Sequence, residues 1–187
     1  MKPSFLTLLL IATLAMPSST VLPQAKPPAI YVDKGACPFE CCTYRKWKTE
    51  KTTVLYAQSN KGAPRIGVVK AGSNVLALTG EVRTAPGKFV IKKTHEKYRP
   101  GDVLWVYTPL GEGFYKVWFR GKMYQEALEF MSGPYEKSIP SCAETPECWG
   151  QLERQMKVEW WVKIKGTNGL IGWTAQAENF SNKDACG

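Results

Sequence analysis

Histidine is nearly missing from this chain: His95 is the only one among 187 residues. One imidazole cannot build a metal cluster of histidines and carboxylates. His95 also lies in the run Lys92-Lys93-Thr94-His95-Glu96-Lys97, the setting of an exposed loop residue and not of a base beside a nucleophile. Phosphate-cradling glycines are lacking as well, since Gly111-x-Gly113 has no third glycine and no helical run behind it. The longest apolar run, Phe5 to Met16, is about twelve residues, too short to cross a hydrocarbon layer of about 30 Å as a helix. Coiled-coil heptads, exact repeats and low-complexity tracts are absent, which excludes fibrous and solenoid architectures.

What the chain does contain is 44 % hydrophobic and 12 % aromatic residue, enough to bury a core of its own. Its formal net charge of +9 is uneven. Residues 43–99 carry thirteen basic groups against Glu50, Glu81 and Glu96, whereas residues 100–187 are net −2. Such a division fits either two halves that partly neutralise each other or an attractive surface for anionic polymers.

The opening segment has one lysine, a short apolar core and then small and polar residues, the order of a secretory signal. Cleavage is expected after Ala25 or between Ser18 and Thr20, leaving an exported protein, periplasmic or extracellular, that does not span the membrane. Export turns the six cysteines into an expected disulfide framework, with fifteen connectivities open to Cys37, Cys41, Cys42, Cys142, Cys148 and Cys186. Three of them cluster near the start, so if all six pair, an odd number of bridges must join that cluster to the distant three. The adjacent Cys41 and Cys42 are poorly placed to pair with each other. The simplest scheme has a local Cys142–Cys148 bridge, one bridge inside the cluster, and Cys186 tied back to the remaining thiol. That long tie would contribute about 4 kcal/mol by chain entropy. A soft-metal or thiol-redox site at Cys37, Cys41 and Cys42 is the alternative, although the two-residue spacing and a nearby histidine are lacking.

From residue 51 onward the pattern is short strands with frequent turns. Apolar or aromatic runs at 52–58, 66–69, 75–82, 89–91, 103–108, 114–119, 158–165 and 170–174 are separated by Ser59-Asn60-Lys61-Gly62, Pro86-Gly87, Pro100-Gly101, Gly111-Glu112-Gly113, Arg120-Gly121 and Gly166-Thr167-Asn168-Gly169. Spacing of this kind predicts a small barrel or sandwich. Helix is expected only over 124–131 and from Pro146 to Gln155.

Two stretches carry a family resemblance. VLYAQSNKGAPRIGVVKAGSNVLALTG, with its Ile66-Gly67-Val68-Val69-Lys70-Ala71-Gly72 unit, resembles the first half of a bacterial SH3-like domain. WWVKIKGTNGLIGWT, ending on Gly172-Trp173, is similar to the closing hairpin of that family. About 75 residues lie between the halves, including GDVLWVYTPLGEGFYKVWFRGKMY, which reads as a second small barrel. The resemblance implies a mainly β chain of small SH3-like barrels with short helical segments and disulfides. Its parts are a signal peptide (1–25), a cysteine-bearing arm (26–50), a first half-barrel (51–85), an inserted barrel-like unit (86–140), and a disulfide-bearing segment with the closing hairpin (141–187).

Catalytic constellations are not evident. Glu126, Glu129, Glu144, Glu147 and Glu153 fall on expected loops or short helices and show no sign of the converging pair that glycoside hydrolysis needs. Aromatics are the stronger signal. Strand alternation sets Trp161 among Glu159, Lys163 and Lys165, opposite Val158, Trp160, Val162 and Ile164; it groups Tyr107 with Val103 and Trp105 opposite Leu104 and Val106, either face of which fits a core, and Trp118 with Phe114 and Lys116. Trp161, Tyr107 and Trp118, with Lys116 and Lys163, are therefore expected on exposed faces where rings bury ligand area at low entropy cost. The expectation is a non-enzymatic exported binding protein without cofactor or metal, taking cell-wall peptide, glycan or an envelope protein, and not nucleic acid.

Overall fold

The computed structural model describes residues 26–128 and 148–186. The expected signal peptide lies outside them. Thirteen strands follow in order: β1 (Tyr31–Lys34), β2 (Lys46–Thr49), β3 (Thr53–Tyr56), β4 (Arg65–Val69), β5 (Asn74–Ala85), β6 (Gly87–Ile91), β7 (Val103–Gly111), β8 (Phe114–Phe119), β9 (Lys122–Ala127), β10 (Gly150–Arg154), β11 (Lys157–Lys165), β12 (Ile171–Thr174) and β13 (Phe180–Ser181). One 3₁₀ turn, Ala177–Asn179, is the helical contribution among the described residues. The chain is mainly β.

The strands form two curled sheets. An eight-stranded sheet runs β13-β2-β5-β11-β12-β3-β4, with β1 also pairing β5. Its spine is the twelve-residue β5, which pairs antiparallel with β11 from Lys157 opposite Ala85 to Lys165 opposite Leu76. The stretches on either side of the insert, 53–85 and 157–174, therefore meet in one sheet. The inserted unit 86–140 supplies β6 to β9 of the other, five-stranded sheet, and β10, from the segment expected to close the first barrel, completes it in the order β10-β6-β7-β8-β9. Arg120 and Gly121, both at positive φ (46° and 89°), make the tight turn between β8 and β9.

Each sheet packs its own core. In the larger one Trp47, Leu55, Val75, Val162, Ile164 and Phe180 pack together, all nearly or fully excluded from solvent. In the smaller one Phe89, Ile91, Leu104, Val106, Tyr115 and Val117 do the same. Alternation governs which residues turn inward: Leu104 and Val106 of β7 are core, while Val103 and Trp105 turn the other way.

Two expectations are corrected. Residues 124–127, where one helix is expected to start, and 150–154, toward the end of the other, are strands, and 128, 148, 149 and 155 are not helical; residues 129–131, 146 and 147 of the expected helices lie outside the described residues. Each of the two strands lies along another, β8 and β6 respectively, whose backbone groups need a partner, and ladder pairing outweighs a weak local helical preference. The cysteine-bearing stretch 26–50 is also more than an arm. It supplies β1 and β2 to the large sheet and Trp47 to its core.

The cysteine clasp is specific. Cys37 bonds Cys42, and Cys41 bonds Cys186 across 145 residues. This is one local and one long-range bridge from the N-terminal cluster. Cys148 is disulfide-bonded as well, and the Cys142 half of the expected local bridge lies outside the described residues. Around the clasp Arg45 donates to the carbonyls of Asn182 (3.1 Å) and Asp184 (2.6 Å), so the C-terminal segment is held by side chain and disulfide together.

Candidate ligand-binding face

The outer side of the five-stranded sheet carries a row of large side chains in register. Arg154 of β10 is opposite Lys88 of β6, Lys88 is opposite Trp105 of β7, Trp105 is opposite Trp118 of β8, and Trp118 is opposite Met123 of β9. The Arg154 guanidinium lies over the Trp105 ring, 5.3 Å from its centroid. Lys88 turns instead to Glu153, at 2.8 Å, which also receives Lys92 at 3.4 Å. The hydrogen bond from Lys88 is the main reason the Glu153 carboxyl is held below its usual range; its slight desolvation opposes this, and the hydrogen bond from Lys92 and the charges of both lysines add to the lowering.

One strand pair further along, Tyr107 and Lys116 meet residues from the start of the chain. The Tyr107 hydroxyl donates to the Pro28 carbonyl at 2.7 Å, and its ring packs on Tyr31 at 5.8 Å. Burial pushes the Tyr107 phenol up to about 12. The Lys116 ammonium donates to the Tyr31 hydroxyl at 2.6 Å and lies over its ring. Segment 26–30 therefore runs across the outer face just before β1 joins the large sheet at Tyr31 opposite Thr84.

Two cavities flank that segment. One of about 590 Å³ is lined by Lys26, Pro27, Asp102, Trp105, Trp118 and Arg120, among others. The other, about 360 Å³, is lined by Pro27, Pro28, Ala29, Trp105, Arg154 and Gln155, among others. Pro27 and Trp105 border both, so together they form the partition. In the lining of the larger cavity Arg120 pairs with Asp102 at 3.0 Å.

The five candidate residues thus divide between two sheets, and the expected exposure of the rings is corrected. Tyr107 is fully buried and Trp118 is 8 % exposed. Both do point away from the core of their sheet, which decides the face of β7 that alternation left open; Tyr31 and Pro28 close over Tyr107, and Trp105 and Met123 flank Trp118. Trp161 is also fully buried, on the outer side of β11 in the large sheet. There Tyr56 meets it edge-on at 5.8 Å, and its indole Nε1 donates to Glu159 at 2.6 Å. A polar net continues outward from that point. Ser59 donates to Glu81 at 2.7 Å, Arg83 pairs with Glu81 at 3.0 Å, and Lys61 pairs with Glu159 at 2.6 Å. Lys163 stands beside this site, 5.8 Å over the Trp173 ring.

Trp105 is the residue that sequence reasoning passed over. It is only half-buried, and its position opposite Trp118 was available once β7 and β8 were recognised as a hairpin. The Lys26-Pro27-Pro28 stretch reads as a linker, and nothing local in it shows that it lines the cavities beside Trp105.

Other chemistry is accounted for by packing. His95 stacks on Trp149, with centroids 4.3 Å apart and planes 6° apart. Glu126 accepts from the Tyr98 hydroxyl and from Lys97, at 2.6 Å in the latter case. Cys41, Asp184 and Cys186 lie close enough together to suggest a metal group, but the two sulfurs are bonded to each other and would need reduction before they could ligate. Among the described residues no helix is long and apolar enough to cross a membrane. Compared with known proteins, the chain matches no family model, no curated protein and no solved structure.

Proposed function

We propose that this chain is an exported, non-enzymatic binding protein whose ligand surface is the outer face of the five-stranded sheet, and that it takes an extended cell-wall peptide or glycan, or a segment of an envelope protein. The observation that carries the reading is the Arg154–Lys88–Trp105–Trp118–Met123 row with open cavities on both sides of Trp105. The partly exposed Trp105 ring, backed by the buried Trp118 and bordered by cations, offers contact area and hydrogen bonding to a ligand that has no fold of its own. Export is supported by the signal-like leader and by disulfides that an oxidising compartment maintains. The SH3-like reading is supported by the two resembling stretches, which lie side by side in the large sheet through β5 and β11. The test is a nitrogen-edited NMR titration of the indole resonances with soluble muropeptides and with unstructured peptides. Shifts confined to Trp105 and Trp118 are expected; no shift with any of these ligands at millimolar concentration overturns the proposal.

A further inference from the structure

Resting on that reading of the face, we infer that its groove recognises an extended segment with two consecutive prolines, and that the chain's own Lys26-Pro27-Pro28 occupies it in cis. Lys26 and Pro27 each precede a proline, which holds both in the extended or polyproline II region. Proline itself fixes φ and has no amide hydrogen, so such a segment meets a protein through ring faces and carbonyl oxygens. The groove supplies the complement to both. Pro27 sits at the partition between the cavities with Trp105, and the Tyr107 hydroxyl donates to the Pro28 carbonyl. Flat aromatic rings with an adjacent hydroxyl donor are how polyproline II segments are read in general.

The internal occupant is held lightly. Lys26, Pro28 and Ala29 are exposed, and Ile30 is 49 % exposed. The segment is anchored mainly from Tyr31 onward, where β1 pairing begins and Lys116 grips the Tyr31 hydroxyl. The tethered segment holds its place through its effective concentration, and a segment in trans with the same two prolines competes with it for the same ring and hydroxyl.

The experiment compares the full chain with a Pro27→Gly/Pro28→Gly variant in the same NMR titration. The probes are the peptide Ala-Lys-Pro-Pro-Ala-Ile, its glycine control Ala-Lys-Gly-Gly-Ala-Ile, and a soluble muropeptide. The proline peptide is expected to shift the Trp105 and Trp118 indoles and to bind the variant about tenfold more tightly than the parent, the factor by which a largely occupied site masks its affinity. The glycine control is expected to leave both indoles unmoved. Equal binding of the two peptides overturns the inference, as does equal affinity of parent and variant. Muropeptide binding without proline-peptide binding overturns this inference and leaves the proposed function standing; no binding of either overturns both. Transfer of segment 26–30 between copies, seen as a dimer of the parent by size exclusion, overturns occupancy in cis. The single change Pro27→Ala, in an exposed stretch ahead of the first strand, gives the same comparison if the double variant does not fold.

Discussion

Trp105 and Trp118 stand directly opposite one another on neighbouring strands, both turned away from the core of their sheet. Yet Trp118 is nearly excluded from solvent while Trp105 is half-exposed. The two rings therefore have different tasks: Trp118 supports at the wall of the larger cavity, and Trp105 borders both cavities. Trp105→Ala should cost stability only on the scale of a cross-strand pair plus its stacked Arg154, about 1–2 kcal/mol. Ligand-induced indole shifts at Trp118 should disappear in the same variant. Urea denaturation measures the first outcome and the NMR titration the second.

Trp161 should behave in the opposite way. An exposed ring at that position would be removed at almost no cost, but the ring is fully buried under Tyr56. Trp161→Ala should lower stability by about 3–5 kcal/mol, the range for emptying a large buried aromatic site. Trp161→Phe should recover most of the packing while losing the hydrogen bond to Glu159. Equilibrium urea unfolding of the two variants reads the difference directly.

The Cys41–Cys186 bridge spans most of the described chain. Replacing both cysteines with serine should lower stability by about 4–5 kcal/mol, the chain-entropy value for a loop of this length. The Cys37→Ser/Cys42→Ser pair closes a loop of only a few residues and should cost distinctly less. Guanidinium midpoints for the two double variants, compared without reductant, test the order.

Acid should loosen the large sheet through Glu81. Burial pushes its carboxyl up, but hydrogen bonds from Ser59 and Arg83, with the charges of Arg83 and Lys34, outweigh that and hold it below its ordinary value of 4.5. The folded state then binds this proton more weakly than the unfolded state. Its stabilisation is complete above pH 4.5 and is lost as pH falls through the lowered folded value. Glu81→Gln should flatten the acid limb of a plot of urea midpoint against pH. An unchanged limb would assign the acid sensitivity elsewhere, with Glu159, lowered in the same direction by Lys61 and Trp161 against its burial, the next group to replace.

Strand positions were legible because side-chain alternation is a local property: 114–119 and 158–165 are strands with the faces that alternation assigns. The partition of the cysteines was legible through parity. Exposure was not. Tyr107 is covered by a carbonyl 79 residues earlier in the chain, and Trp161 by Tyr56, and no local pattern announces a cover that arrives from so far away. The helices expected near 124 and 150 failed for a related reason. Whether a short polar-apolar stretch coils or extends depends on whether a strand with unpaired backbone groups lies beside it.

By itself, then, the amino-acid sequence determined a β-rich chain, which residues share a face along its main strands, and a cysteine set that needs a long-range bridge if all six pair. Tertiary structure alone decided that three outward rings are sealed, that Pro27 borders the same two cavities as Trp105, and that the Pro28 carbonyl accepts from Tyr107. The division has one physical cause. Periodicity and turn chemistry act between neighbours along the chain, whereas burial of an outer face depends on which distant segment arrives to cover it.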